Sequence, residues 1–107
     1  MNATITVTPK VTTLINVLTV EPENQAKLIE SLRENTDNVV STLPGWISTS
    51  FVVSHDKRRV VIYSQWNDVV SMRAMQSHPQ MLAYFPHIAA LASFDAISGD
   101  VAYSRHA

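Results

Sequence analysis

No cysteine occurs anywhere in the 107 residues, which excludes disulfides, thiolate metal sites and cysteine nucleophiles. Glycine is nearly as scarce. Gly45 and Gly99 are too few for a phosphate-cradling loop, so a nucleotide cofactor held by such a motif is not expected. Charged residues make up 16% and the net charge is -1, which leaves no electrostatic case for nucleic acid or an anionic membrane. No apolar run approaches the roughly 20 residues that span a bilayer. The four histidines have no acidic partner at i+3 or i+4, a poor pattern for a metal site. Met1 to Lys10 is Thr-rich and lacks the positive and apolar regions of a signal peptide. Residues 1–11 read as a flexible leader, and a cytoplasmic location is the expectation. What is present is apolar: 46% of the chain, enough for one domain over residues 12–107 with a hydrophobic core.

The most informative stretch is Val60-Val61-Ile62-Tyr63-Ser64-Gln65-Trp66-Asn67-Asp68. Val, Ile and Tyr favour a pleated, half-buried surface, and Asn67 and Asp68 are helix N-cap residues. Trp66 therefore stands at a strand–helix junction, where an indole can wall a cleft and offer one N–H. Upstream, Thr13 to Val20 alternates as a strand that is largely apolar on both faces. Glu21-Pro22-Glu23 opens a helix whose stripe is Ala26, Ile29, Leu32, Thr36, Val39 or Val40, and Leu43, and Pro44-Gly45 ends it. Trp46 to Ser54 is a second strand, His55-Asp56-Lys57-Arg58 a polar hairpin loop, and Arg59 to Trp66 the third strand. A helix runs from Asp68 to about Met75. Ser77-His78-Pro79 caps a second piece toward Leu91, which Pro86 must kink or restart. Phe94 to Tyr103 supplies a fourth strand, with a bulge or bend expected at Gly99.

The order is βαββαβ. It predicts an α+β, ferredoxin-like domain, a four-stranded antiparallel sheet with its helices on one face. The second face would carry Ile15, Val17, Phe51, Val53, Val61 and Tyr63. An apolar patch of that kind calls for a partner, and two sheets face to face in a homodimer are the economical solution.

Three stretches then carry a likeness: Leu14-Ile15-Asn16-Val17-Leu18-Thr19-Val20, the turn Leu43-Pro44-Gly45-Trp46, and Tyr63-Ser64-Gln65-Trp66-Asn67-Asp68. Arg73, His78-Pro79 and Phe85-Pro86-His87 follow the last of these. In this order and spacing the chain resembles the antibiotic biosynthesis monooxygenase family over roughly residues 12–103. The resemblance implies a dimeric α+β barrel that oxygenates aromatic substrates without metal, flavin or haem. It implies Trp66 and Asn16 as catalytic residues, matching a strand-end tryptophan and a first-strand asparagine of the anthrone-oxidising members. The chain departs from those members at Ile62, where they carry an asparagine, and at Met72, where some carry a tyrosine. Both departures bear on the substrate more than on the fold.

Cofactor-free oxygenation needs an electron-rich substrate anion that can pass an electron to O2. Preorganised donors would favour the anion, and an apolar pocket would exclude water. Asn16 offers two amide donors and Trp66 one N–H. His78 or His87 could act as base, or the substrate's own acidity could suffice. Tyr63, Met72, His78, Phe85 and His87 are expected as the substrate pocket. Structural readings stand beside these. Asn16 could be satisfied by Asn35 or Thr36 on the facing helix, Trp66 could be core, His78 a helix cap, and Met72, Met75 and Met81 core filler. Tyr63 is either a dimer-core residue or a pocket phenol. Three functions remain open: a cofactor-independent monooxygenase acting on a small phenolic, quinol or anthrone-like aromatic with O2; a haem-degrading monooxygenase, for which Asn16 and His87 fit but a helix tryptophan is missing; and a non-catalytic dimeric small-ligand binder, favoured if Met72, Phe85 and Leu82 fill the cleft.

Overall fold

The computed structural model describes residues 11–107, so all of the expected leader except Val11 lies outside the described residues. Strand β1 (Thr12–Val20) sits inside the sheet. It pairs antiparallel with β3 (Arg59–Trp66) on one side and with β4 (Ala92–Gly99) on the other, while β2 (Trp46–Val53) pairs with β3 at the edge. The order β2-β3-β1-β4 is that of the expected ferredoxin-like sheet. Strand alternation sends Leu14, Asn16, Leu18 and Val20 to the helix side, opposite Ser64, Ile62 and Val60 of β3.

Helix α1 (Gln25–Asn38) follows a single 3-10 turn, Pro22–Asn24. That turn sets the helix phase, and the core face is Gln25, Leu28 and Leu32. Ala26, expected on the stripe, is exposed, while Leu28 is completely buried. The helix also stops earlier than the apolar pattern suggests. After Asn38 the chain tightens into a 3-10 turn, Val40–Thr42. Two β-branched residues and two hydroxyl residues occupy this stretch, and the Ser41 and Thr42 hydroxyls donate to the carbonyls of Asp37 and Val39. Leu43-Pro44-Gly45-Trp46 then forms a turn in which the Trp46 backbone N–H donates to the Leu43 carbonyl. Gly45 has φ +85°, and a side chain there would collide with Ser71 of the next helix.

Helix α2 (Val69–Gln76) begins where Asp68 accepts the Ser71 N–H at 2.7 Å. Helix α3 (Pro79–Ala89) begins at His78, whose Nδ1 accepts the Gln80 N–H. It runs on through Pro86 without a restart. Strand β4 starts at Ala92, two residues before the expected Phe94, and ends at Gly99 rather than Tyr103. The last pair joins Gly99 to Thr13, and the Thr12 hydroxyl donates to the Gly99 carbonyl beside it.

The core is in two parts. Leu18, Val20, Leu28, Leu32, Val60, Ile88 and Ala92 form one cluster; Leu14, Val40, Trp66, Met72, Met75 and Met81 form the other. On the second sheet face stand Ile15, Val17, Val61 and Tyr63, joined by Val52 and Ile97, which are 60% and 63% exposed. Phe51 and Val53, expected there, instead share the helix face, because they pair with Ile62 and Val60. Among the described residues no helix is long and apolar enough to cross a membrane.

Candidate active site

A cavity of ≈ 300 Å³ lies between sheet and helices, lined from both core clusters. That volume is at the lower end of the range for small-molecule sites. Its floor is Asn16, Ile62, Ser64 and Trp66 from the two central strands. Leu32 and Asn35 of α1 roof it, and Met81, Phe85 and Ile88 of α3 close a wall. Gln76, Phe94 and Ala96 also line it and are themselves exposed, so they mark where it meets solvent.

Asn16 and Trp66 reach this cavity from the same side of the sheet. Asn16 pairs with Ile62 and with Ala96, and Trp66 pairs with Thr12, which shares the Asn16 face of β1. The one irregularity in the ladder lies elsewhere, between Trp46 and Ser48 of β2. It turns Trp46 toward the helix side opposite Trp66, where its N–H donates to the Thr49 hydroxyl at 2.9 Å. The Asn16 carboxamide bonds to neither of the helix residues that would have satisfied it. Asn35 donates to the Met81 sulfur at 3.3 Å, and the Thr36 hydroxyl donates to the Leu32 carbonyl at 2.8 Å. Among the described residues the Asn16 amide has no hydrogen-bond partner, and it lines the floor. Trp66 is fully buried, and its N–H already donates to the Ser64 hydroxyl at 3.3 Å, a long and weak bond.

Of the expected pocket residues, the structure brings Phe85 to the cavity and leaves the others outside it. Tyr63 projects from the second sheet face, and its phenol oxygen is buried without a partner. Strand period sends it opposite to Ile62 and Ser64. Met72 is packed in the methionine cluster, 3% exposed. His78 is committed to the α3 cap and borders a separate small depression beside Leu43 and Val70. His87 is exposed on α3. Among the described residues no His, Asp, Glu, Lys or Arg lines the main cavity, and Tyr84 is the one titratable side chain there. Burial, assisted by the Glu34 carboxylate, pushes the Tyr84 phenol above its ordinary range, so it stays neutral at any working pH. Among the described residues no group of three or more His, Asp or Glu could hold a metal ion.

Asn35, Ser64 and Tyr84 are lining residues that sequence reading did not place in the pocket. A signal existed for Ser64, since it lies two residues before Trp66 and so shares its face of the strand. For Asn35 the helix stripe was drawn through Thr36 instead. Nothing in the local sequence marks Tyr84.

The sequence pattern of the family described as antibiotic biosynthesis monooxygenase matches residues 12–86. The chain is similar to the tetracenomycin-F1 monooxygenase of Streptomyces glaucescens, 36% identical over 85 residues that make up 79% of this chain and 76% of that one. Its fold is similar to that of a monooxygenase from the gene ActVA-Orf6 of Streptomyces coelicolor, crystallised in complex with nanaomycin D. There the TM-score is 0.83 at 20% identity, covering 94% of this chain and 96% of the other. It is similar also to SnoaB, described as a cofactor-independent oxygenase, from Streptomyces nogalater, with a TM-score of 0.81 at 18% identity over 89% of this chain and 96% of the other.

Proposed function

The chain belongs to the antibiotic biosynthesis monooxygenase family, and from that premise we propose a cofactor-independent monooxygenase that oxidises a small phenolic, quinol or anthrone-like aromatic with O2. The cavity carries this reading: it is apolar, open to solvent at one side, and has in its floor the Asn16 amide, unpaired among the described residues. Asn16 is the donor best placed to stabilise a developing oxyanion. Trp66 walls the site, its N–H tethered by Ser64. With no histidine or carboxylate among the described residues that line the cavity, the first proton leaves by the substrate's own acidity, not to a side-chain base.

The chemistry balances without an added reductant. A phenol with a free para C–H loses its O–H proton and passes one electron to O2. The phenoxyl radical and superoxide couple at the para carbon, and the resulting peroxide takes up a proton. Loss of the para proton with cleavage of the O–O bond gives the quinone and water. One oxygen atom becomes the new carbonyl, the other leaves as water, and the substrate supplies all four electrons.

A homodimer through the second sheet face belongs to the same proposal, supported by Ile15, Val17, Val61 and the exposed Val52 and Ile97. A cytoplasmic location is part of it too and rests on the cysteine-free composition. The haem-degrading alternative finds less support, since both tryptophans stand on strands and His87 is exposed away from the cavity. A cleft filled by Met72, Phe85 and Leu82 would have favoured the non-catalytic alternative. Leu82 is 54% exposed instead, and Met72 lies outside the cavity.

The test is O2 uptake with a panel of anthrones and hydroquinones in metal-free buffer. Turnover that requires O2, yields one water per O2, and follows the substrate's pKa and not that of a histidine is expected. Equal product with and without O2, or none across the panel, would sink the reading.

A further inference from the structure

We infer that Asn35 is a substrate-positioning residue, and that with Asn16 it selects aromatics carrying oxygen on two opposite edges. The inference rests on the oxygenase reading above and adds to it a second polar contact. Asn35 lies in the interior of α1, on the face that carries Leu28 and Leu32, where an apolar side chain would suit both helix and core. It lines the cavity instead, and its only partner is the Met81 thioether, a weak acceptor. The amide oxygen has no partner among the described residues. A half-buried amide spent on a sulfur atom is under-satisfied, and a ligand that supplies an oxygen improves its position. Met81 gives up little in the exchange, because its flexible side chain can repack against an aromatic ring.

Geometry sets the ligand class. Asn16 rises from the sheet and Asn35 descends from the helix layer, so the unpaired Asn16 amide and the weakly held Asn35 amide face one cavity from opposite sides. Thr36, Thr49, Ser64 and Trp66, also in the lining, are already committed to protein partners, while the buried Tyr84 hydroxyl of α3, which has none among the described residues, is a further donor on the helix side. Each amide can donate to a carbonyl or phenolate and accept from a hydroxyl. A flat aromatic with oxygens on both edges engages both; one with oxygen on a single edge engages one.

Intrinsic tryptophan fluorescence gives a readout that needs no turnover, since Trp66 lines the cavity. The probes are 1,8-dihydroxyanthraquinone, oxygenated on both edges and inert to O2, and 1-hydroxy-9-fluorenone, oxygenated on one. Asn35→Leu is expected to weaken anthraquinone binding about tenfold, to leave fluorenone binding within about twofold, and to keep or raise the melting temperature. Asn35→Ala should show the same selectivity. Equal weakening for both probes would assign Asn35 to packing, and undiminished anthraquinone binding would remove it from the site; either result overturns the inference while the oxygenase reading stands. If neither probe binds the wild-type protein, both fall together.

Discussion

Leu18, Val20, Leu28 and Val60 fill one part of the core, and Leu14, Trp66, Met72, Met75 and Met81 fill the other. The first part is aliphatic, with β-branched side chains held in few rotamers. The second relies on methionines, unbranched and polarizable, around one indole. Both meet at the cavity, but the strands contribute differently. The aliphatic part ties α1 and α3 to the ends of β1 and β3, whereas the methionine part hangs α2 on the junction at Trp66. The contrast teaches that the domain keeps its rigidity and its adaptability apart. One region specifies the fold, and the other can reshape itself around a planar guest.

Leu28→Ala should break that contrast most severely. Its side chain is completely buried in the aliphatic cluster, and the truncation should cost about 3 kcal/mol in urea unfolding with an unchanged slope. Substrate affinity of the folded fraction should hardly move, since Leu28 is not in the cavity. Asn16→Leu should do the reverse. Turnover with O2 should fall about a hundredfold, equivalent to about 2.7 kcal/mol in the barrier, while the urea midpoint stays or rises. A stability loss comparable to that of Leu28→Ala would make Asn16 structural and dissolve the proposed division.

Asp68→Ala should have the smallest effect and sharpen the contrast. The Ser71 backbone N–H, then its side chain, hold the Asp68 carboxyl below its usual 3.8. Because the folded pKa is depressed, the stabilisation is present above 3.8 and fades as the pH falls through the lower folded value. The variant should therefore melt lower than wild type at neutral pH, with the gap narrowing in acid. Hydrogen exchange should quicken in α2, which carries Met72 and Met75, before it quickens in α1. Uniform loosening would show that the two parts are one cooperative unit.

Much of this could be read in the chain itself. The period-2 apolar pattern, the Pro44-Gly45 turn and the Asn67-Asp68 cap are local signals, and local signals determined the βαββαβ order, the strand bounds of β3 and the starts of both later helices. They also put Asn16 and Trp66 forward. Other features depended on contacts between elements distant in sequence. The phase of α1 was set by a 3-10 turn, so Leu28 and not Ala26 faces the core. The end of β4 falls at Gly99, where it pairs with Thr13 of β1. Hairpin pairing placed Phe51 and Val53 on the helix side. Whether a polar side chain is satisfied is likewise a tertiary fact. Only the packed structure decided that Asn16 bonds to neither Asn35 nor Thr36, that the Trp66 N–H belongs to Ser64, and that His78 and His87 stay out of the cavity. Sequence sets which residues share a strand or helix face, because backbone geometry is periodic; a cavity is what remains when several such faces fail to fill the space between them, and that is decided only by their sum.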